Sequence, residues 1–176
     1  MINVFIISAM VLLLCCGTCV GRNCLITLGV RPDFFLFPLH YFFYRSRIKK
    51  LQQDVNQLCK QYSLKPHRVK MFLFPSVLEI AAGVSLGVPC IFMHRVLIKN
   101  FEHNELLFIM YHEIGHKVSR NRDDEFAADK FAASHLDKQS GIDALTKTLN
   151  LFNKLCFLAP QTYNHYEARI AALKNG

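Results

Sequence analysis

The stretch Leu106-Leu-Phe-Ile-Met-Tyr-His-Glu-Ile-Gly-His116 decides how the rest of the chain is interpreted. Its first six residues are apolar, and its last five have the pattern His-Glu-x-x-His. Histidines four residues apart lie on one face of a helix, one turn from each other, so one Zn²⁺ can bridge His112 and His116. The apolar turns before them predict a buried helix, and buried histidines need partners for their ring nitrogens.

Glu113 directly follows the first histidine and is predicted to be the general base. A bound zinc ion lowers the pKa of its water to about 7, so a neighbouring carboxylate can take a proton at neutral pH. The motif alone also fits a surface helix with two solvated histidines. The buried setting of the motif favours the metal site.

A second polar cluster, Glu125-Phe-Ala-Ala-Asp129, begins after eight intervening residues. Two histidines leave a tetrahedral site short of one protein ligand. If the helix that begins near Asp123 runs antiparallel to the first one, Glu125 lies beside His116 and Asp129 lies opposite His112. We therefore predict that Glu125 is the third ligand and that Asp129 accepts a hydrogen bond from a ligand histidine. Asp123 and Asp124 are acids typical of a helix N-terminus.

The net charge of +8 is concentrated in one short segment. Residues 45–70 contain eight basic groups and one acid, whereas residues 71–176 contain eleven of each. A nucleic-acid-binding domain is expected to be basic over its folded part, so nucleic acid is not predicted as a partner. A basic segment directly after an apolar one is typical of the cytoplasmic flank of a membrane anchor. Membrane lipid is predicted as a partner of the N-terminal apolar segment.

Residues 1–44 are predicted to be a membrane anchor, and residues 45–176 are predicted to be one folded domain on the cytoplasmic side. Residues 1–21 carry no charged side chain and are long enough to cross a bilayer as a helix. They lack a basic start and a small-residue cleavage pattern, which favours an uncleaved anchor over a signal peptide. A hairpin, a re-entrant piece or an interfacial aromatic segment all fit the stretch that follows.

The folded part is predicted to be α+β, dominated by helices, with a small sheet before the His-Glu-x-x-His helix. The number of cysteines, seven, is odd, four of them lie in the N-terminal apolar region, and Cys59, Cys90 and Cys156 are far apart without CxxC spacing, so neither a disulfide framework nor a cysteine-rich zinc site is predicted. A helix is expected over residues 48–62, and strands are expected over 69–74, 81–87 and 89–98. Further helices are expected over 104–117, 123–136, 142–157 and 164–174, three of them started by Asn104, Asp123 and a capping box of Asn164 and Glu167.

The runs Tyr111-His-Glu-Ile-Gly-His116, Glu125-Phe-Ala-Ala-Asp129 and Tyr166-Glu-Ala-Arg-Ile170 resemble the HtpX-like membrane metallopeptidases. That family includes the CAAX prenyl proteases. The resemblance covers roughly residues 48–174 and implies a zincin-like metallopeptidase fold, zinc ligands His112, His116 and Glu125, and Glu113 as the base. It also implies that an edge strand near Ala82–Leu86 holds the peptide substrate by strand addition.

Two departures from the family pattern are visible. The segment between His116 and Glu125 is much shorter than usual, and Thr162-Tyr-Asn-His165 stands where the family has a His-Pro. Tyr163 or His165 is predicted to donate a hydrogen bond to the oxyanion, and a packing role at a helix start fits both equally. Arg169 is predicted to pair with an acid.

The function predicted from these observations is hydrolysis of peptide bonds by a membrane-tethered, zinc-dependent endopeptidase, with protein or peptide substrates near the membrane. Two alternatives remain at this point. Glu125-Phe-Ala-Ala-Asp-Lys-Phe-Ala-Ala133 is also similar to the ImmA/IrrE-like regulatory peptidases. An inactive, metal-binding membrane adaptor is the other alternative, because the oxyanion donor is not assigned.

Overall fold

A computed structural model describes residues 37–72, 81–85, 88–119, 123–155 and 160–175. These residues have the α+β composition expected from the sequence, with a three-stranded sheet and a majority of helix. In chain order the elements are α1 (Phe37–Gln61), β1 (Arg68–Phe72), β2 (Ala81–Ser85), β3 (Val88–His94), α2 (Arg95–Asn100), α3 (His103–Ser119), α4 (Glu125–His135), α5 (Lys138–Leu155) and α6 (Pro160–Asn175).

The chain divides into two compact units, residues 1–43 and residues 44–176. In the described part of the first unit, the rings of Phe42 and Phe43 pack edge to face and are 72% and 68% exposed. The predicted membrane span over 1–21 and the segment that follows it up to residue 36 lie outside the described residues. Of the helices that the structure does describe, none combines the length and the apolarity needed to cross a membrane.

The core of the second unit lies between α1, the sheet and the C-terminal helices. Helix α1 buries Ile48, Leu51, Val55 and Leu58 at the spacing expected from the sequence, and Leu51 and Val55 are completely buried. The helix starts at Phe37 instead of residue 48. Its second residue is a proline, which a first helical turn accepts because the missing N–H has no partner there in any case.

The sheet has the order β1-β3-β2, with β3 in the centre. Strand β1 is parallel to β3, with Val69 opposite Ile91, and β2 is antiparallel to β3, with Ala82 also opposite Ile91. Strand β2 is therefore an edge strand among the described residues, and it lies near α3. Residue 86, the end of the edge strand expected from the sequence, is outside the described ranges.

The prediction of a strand over residues 89–98 is wrong after His94, because residues 95–100 form helix α2. The Nδ1 atom of His94 caps this helix by accepting a hydrogen bond from the Val96 N–H. At the other end of α2, the Arg47 guanidinium donates to the carbonyls of Ile98 and Phe101. The last carbonyls of α2 are bound by Arg47, which is about fifty residues earlier in the chain, so local periodicity could not indicate a helix.

Two predicted helix caps are also wrong by one or two positions. Helix α3 begins at His103, and the Glu105 carboxylate accepts a hydrogen bond from the Glu102 N–H at 2.7 Å, so Asn104 lies inside the first turn. Helix α4 is capped by Asp124, whose side chain accepts from the Ala127 N–H at 2.8 Å. Asp123 and Asp124 can both accept hydrogen bonds from the same free N–H groups, so the composition does not tell which of the two caps the helix.

The last two helices start earlier than expected. Helix α5 begins at Lys138 instead of residue 142, after Asp137, whose carboxylate accepts from the Ser140 N–H. Helix α6 begins at Pro160 instead of residue 164, so Asn164 and Glu167 lie within the helix and do not form a capping box. Proline is favoured at the first position of a helix, so Pro160 is the residue that indicates this earlier start.

Candidate metal centre

Helices α3 and α4 bring three potential metal ligands to one point. The Nε2 atoms of His112 and His116 are 3.0 Å apart. The two carboxylate oxygens of Glu125 lie 3.2 Å from His112 Nε2 and 3.5 Å from His116 Nε2. Among the described residues these three side chains form a group that can hold one metal ion, with ligand atoms within 4.8 Å of one another.

The separations between the donor atoms fit a tetrahedral ion. Ligands at about 2.0–2.1 Å from a tetrahedral centre are about 3.3 Å from each other. The observed distances of 3.0, 3.2 and 3.5 Å bracket that value. Two imidazole nitrogens and one carboxylate also form a donor set that occurs at catalytic zinc sites, where the fourth position is left open.

The close approach of α3 and α4 depends on small residues at their contact. A Cβ atom added at Gly115 would lie 3.1 Å from the Ala128 Cα and 3.2 Å from the Ala128 carbonyl oxygen. Ala128 is completely buried. Gly115 precedes His116 and Ala128 follows Glu125 by three residues, so this contact fixes the distance between the ligands on the two helices.

Asp129 and Arg169 support the side of the His112 ring that carries Nδ1. The Nδ1 atom of His112 is 2.8 Å from Asp129 Oδ1, and both residues are buried. Because Asp129 is a carboxylate, Nδ1–H donates this hydrogen bond and the Nε2 lone pair faces Glu125. Arg169 donates from Nε and Nη2 to the two oxygens of Asp129, each at 2.7 Å. The prediction that Arg169 pairs with an acid is confirmed.

Arg169 also contacts Glu125, the third potential metal ligand, directly. Its Nη1 atom lies 2.9 Å from Glu125 Oε2, the oxygen that faces His112. Its guanidinium lies over the ring of Tyr166 at 5.3 Å. The sequence did not indicate the Glu125 contact or the role of Tyr166, although the spacing of three residues on one helix places Tyr166 and Arg169 on the same face.

The charges at this site favour a cation between His112 and Glu125. Burial acts to lower the pKa of His112, but its hydrogen bonds with Asp129 and Glu125 outweigh burial and raise that pKa. The hydrogen bond with His112 lowers the pKa of Glu125, against the effect of burial. Burial acts to raise the pKa of Asp129, and the hydrogen bonds from Arg169 and His112 lower it. Both carboxylates are therefore ionised at neutral pH, and their negative charges stabilise a proton or a metal ion bound at His112.

Three further residues were predicted to take part in catalysis, namely Glu113, Tyr163 and His165. Glu113 is half-buried on α3, directly after His112. Tyr163 hydrogen-bonds to Glu167 on its own helix, and this contact raises the pKa of the phenol. His165 is exposed, and its ring meets the half-exposed ring of Phe126 edge to face at 6.0 Å. The oxyanion role of Tyr163 or His165 stays a prediction.

Comparisons with known proteins found no match. No protein-family model, no curated protein and no solved structure matches the chain. The site itself is a group of two histidines and a glutamate on two helices that could hold a metal ion, with a buried aspartate and arginine beside it.

Proposed function

We propose that this chain is a zinc-dependent endopeptidase of zincin-like fold, held at a membrane by its N-terminal segment. The observation that carries the proposal is the convergence of His112, His116 and Glu125 at separations of 3.0–3.5 Å. The two histidines lie on the helix that also carries Glu113. Zinc is the proposed metal because two imidazoles and a carboxylate in a tetrahedral arrangement suit it better than Mg²⁺ or Ca²⁺, which prefer oxygen ligands.

Zinc bound by His112, His116 and Glu125 would supply a Lewis acid that can polarise a carbonyl group and lower the pKa of water. Glu113 accepts a proton from the attacking water and returns it to the leaving amine. Asp129 keeps His112 in the tautomer that presents Nε2, and Arg169 keeps Asp129 in place. Tyr163 or His165 is the proposed donor to the oxyanion.

The proposed substrates are extended segments of proteins near the membrane. Among the described residues, strand β2 is an edge strand near helix α3, and a peptide chain can pair with the outer side of an edge strand. The membrane tether is supported by the sequence of residues 1–21, which has no charged side chain. The basic run at residues 45–50 supports a catalytic domain on the cytoplasmic side.

The test is cleavage of unfolded casein by the full chain in detergent micelles, with the zinc content measured in the same preparations. The wild type is compared with Glu113→Gln and with Glu102→Gln, a matched control at an exposed glutamate outside the site. We expect equal zinc in all three, cleavage by the wild type and by Glu102→Gln, and a rate at least about 100-fold lower for Glu113→Gln.

Two results would contradict the proposal. Cleavage by Glu113→Gln at the wild-type rate excludes Glu113 as the base. A zinc-loaded wild type that cleaves neither casein nor other unfolded proteins, in micelles or in lipid nanodiscs, favours the inactive adaptor instead.

A further inference from the structure

The basic residues between positions 45 and 70 belong to two structurally different sets. Arg47 binds the carbonyls of Ile98 and Phe101, and Lys70 lies over the Phe92 ring at 5.9 Å, so both serve the fold itself. The other six side chains are exposed: Arg45, Lys49, Lys50, Lys60, Lys65 and Arg68. Packing inside the second unit therefore does not account for most of the positive charge of this segment.

Four of these exposed groups lie along the outer side of α1. Arg45, Lys49 and Lys60 are separated by four and eleven residues, which places them within about 60° of one another on a helix with 3.6 residues per turn. Lys50 borders the same side, and we name these four residues the basic face of α1. The opposite side of the helix is buried in the core.

No acidic side chain neutralises the basic face from its own helix. Asp54 is the sole acid between residues 45 and 70. Its carboxylate lies 2.9 Å from His103 Nε2, at the start of α3, and is directed toward the domain. The exposed positions between Lys50 and Lys60 are the neutral residues Gln53, Asn56 and Gln57.

We propose that the basic face of α1 lies on the headgroups of anionic phospholipids. Four like charges on one exposed helix side attract an anionic surface at a distance of one Debye length or less. Lipid is favoured over nucleic acid by the residues that precede the face in the sequence. Phe42 and Phe43 are the most exposed large apolar residues of the described chain, and aromatic rings are typical of the headgroup level.

The chain that leads into α1 supports the same partner. Residues 1–21 carry no charged side chain, and the helix begins at Phe37. The proposal shares the membrane tether with the proposed function but none of its zinc chemistry. It adds that α1 holds the domain against the bilayer. This contact depends on the charge of the lipids, whereas attachment by a tether alone does not.

The experiment measures how fast individual lysines of the full chain are acetylated in lipid nanodiscs. An uncharged acetylating reagent is used, and the modified residues are quantified by mass spectrometry. Nanodiscs of phosphatidylcholine alone are compared with nanodiscs containing phosphatidylserine. Lys130 and Lys138, exposed on α4 and α5, are the internal references.

We expect Lys49, Lys50 and Lys60 to react about threefold or more slowly, relative to the references, in the anionic nanodiscs. The difference should disappear at 0.5 M salt, because the Debye length falls to about 4 Å. The double variant Arg45→Gln/Lys50→Gln should weaken the protection of Lys49 and Lys60. The matched double variant is Lys130→Gln/Lys138→Gln, for which Lys174 serves as the internal reference. We expect this variant to leave the protection of Lys49 and Lys60 unchanged.

Equal relative rates in the two kinds of nanodisc would overturn the proposal. Protection that appears in phosphatidylcholine nanodiscs when duplex DNA or RNA is added would assign the face to nucleic acid instead. Neither readout depends on zinc or on hydrolysis, so a failure here is distinguishable from a failure of the proposed function.

Discussion

Arg169 holds Asp129 through two hydrogen bonds of 2.7 Å, from Nε to Oδ2 and from Nη2 to Oδ1. The same Oδ1 atom accepts the hydrogen bond of His112 Nδ1 at 2.8 Å. Side chains from α3, α4 and α6 thus meet at one buried carboxylate. Glu125, the first residue of α4 and a potential metal ligand, also contacts Arg169. We therefore expect the arrangement of the three potential ligands to depend on the Asp129 carboxylate.

We predict that Asp129→Asn weakens zinc binding about 10- to 100-fold and lowers the free energy of unfolding by about 3 kcal/mol or more. The amide keeps the shape of the side chain but removes the charge that pairs with the buried Arg169 and fixes the tautomer of His112. Zinc affinity is measured by competition with a chelator, and stability by urea unfolding of the metal-free protein.

The matched control for this prediction is Asp143→Asn. Asp143 accepts a hydrogen bond from Gln139 at an exposed position of α5, where such a pair contributes little. Wild-type zinc affinity in Asp129→Asn would contradict the role assigned to the carboxylate.

We predict that Gly115→Ala weakens zinc binding, although alanine favours a helix over glycine by about 1 kcal/mol. The added methyl group would be 3.1 Å from the Ala128 Cα, a backbone atom that can move only with α4. A shift of α4 displaces Glu125 from the two histidines. The measurement is the zinc dissociation constant, together with thermal unfolding.

Gly141→Ala is the comparison for this variant. Its methyl group would overlap the ring of Phe108, which is buried in the core. Overpacking of this kind costs about 1–3 kcal/mol. We expect Gly141→Ala to be the less stable variant and Gly115→Ala to be the weaker zinc binder; the reverse order for zinc would contradict the account.

The pH dependence of stability is expected to include a contribution from His67, which is far from the metal ligands in sequence. Burial lowers its pKa, and the charge of Lys117 acts in the same direction against the hydrogen bond to the Lys65 carbonyl. Below about pH 6.5 the unfolded chain takes up a proton that the folded chain resists. The stability that neutral His67 contributes is therefore complete above that pH and is lost as the pH falls.

The test is the free energy of urea unfolding between pH 5 and pH 8 for the wild type and for His67→Asn. Asparagine can keep the hydrogen bond to the Lys65 carbonyl but does not titrate. We expect a shallower loss of stability below pH 6.5 in the variant. Parallel curves would show that His67 does not contribute.

Much of the fold could be predicted because local patterns agree with the tertiary structure. The apolar spacing of α1 and the helical run before His112 both correspond to buried faces. The helix starts were less predictable, because neighbouring polar residues compete for the same free N–H groups. Helix α2 was missed because Arg47, about fifty residues earlier in the chain, binds its last carbonyls.

The candidate site was likewise predictable only where local patterns indicate it. A fixed spacing on one helix indicated His112 and His116, and the predicted pairing of two helices indicated Glu125 and Asp129. The contact between Arg169 and Glu125 joins α6 to α4 across a long stretch of chain. No spacing rule within either helix could indicate it, and it became visible only in three dimensions.

The most direct test of the account is the zinc content of the purified full chain, determined by mass spectrometry of the metal, for the wild type, His116→Gln and His165→Gln. We predict about one zinc ion per chain in the wild type and in His165→Gln, whose histidine is exposed, and a loss of zinc in His116→Gln. A folded wild type without zinc, or undiminished zinc in His116→Gln, would contradict the assignment of this metal centre.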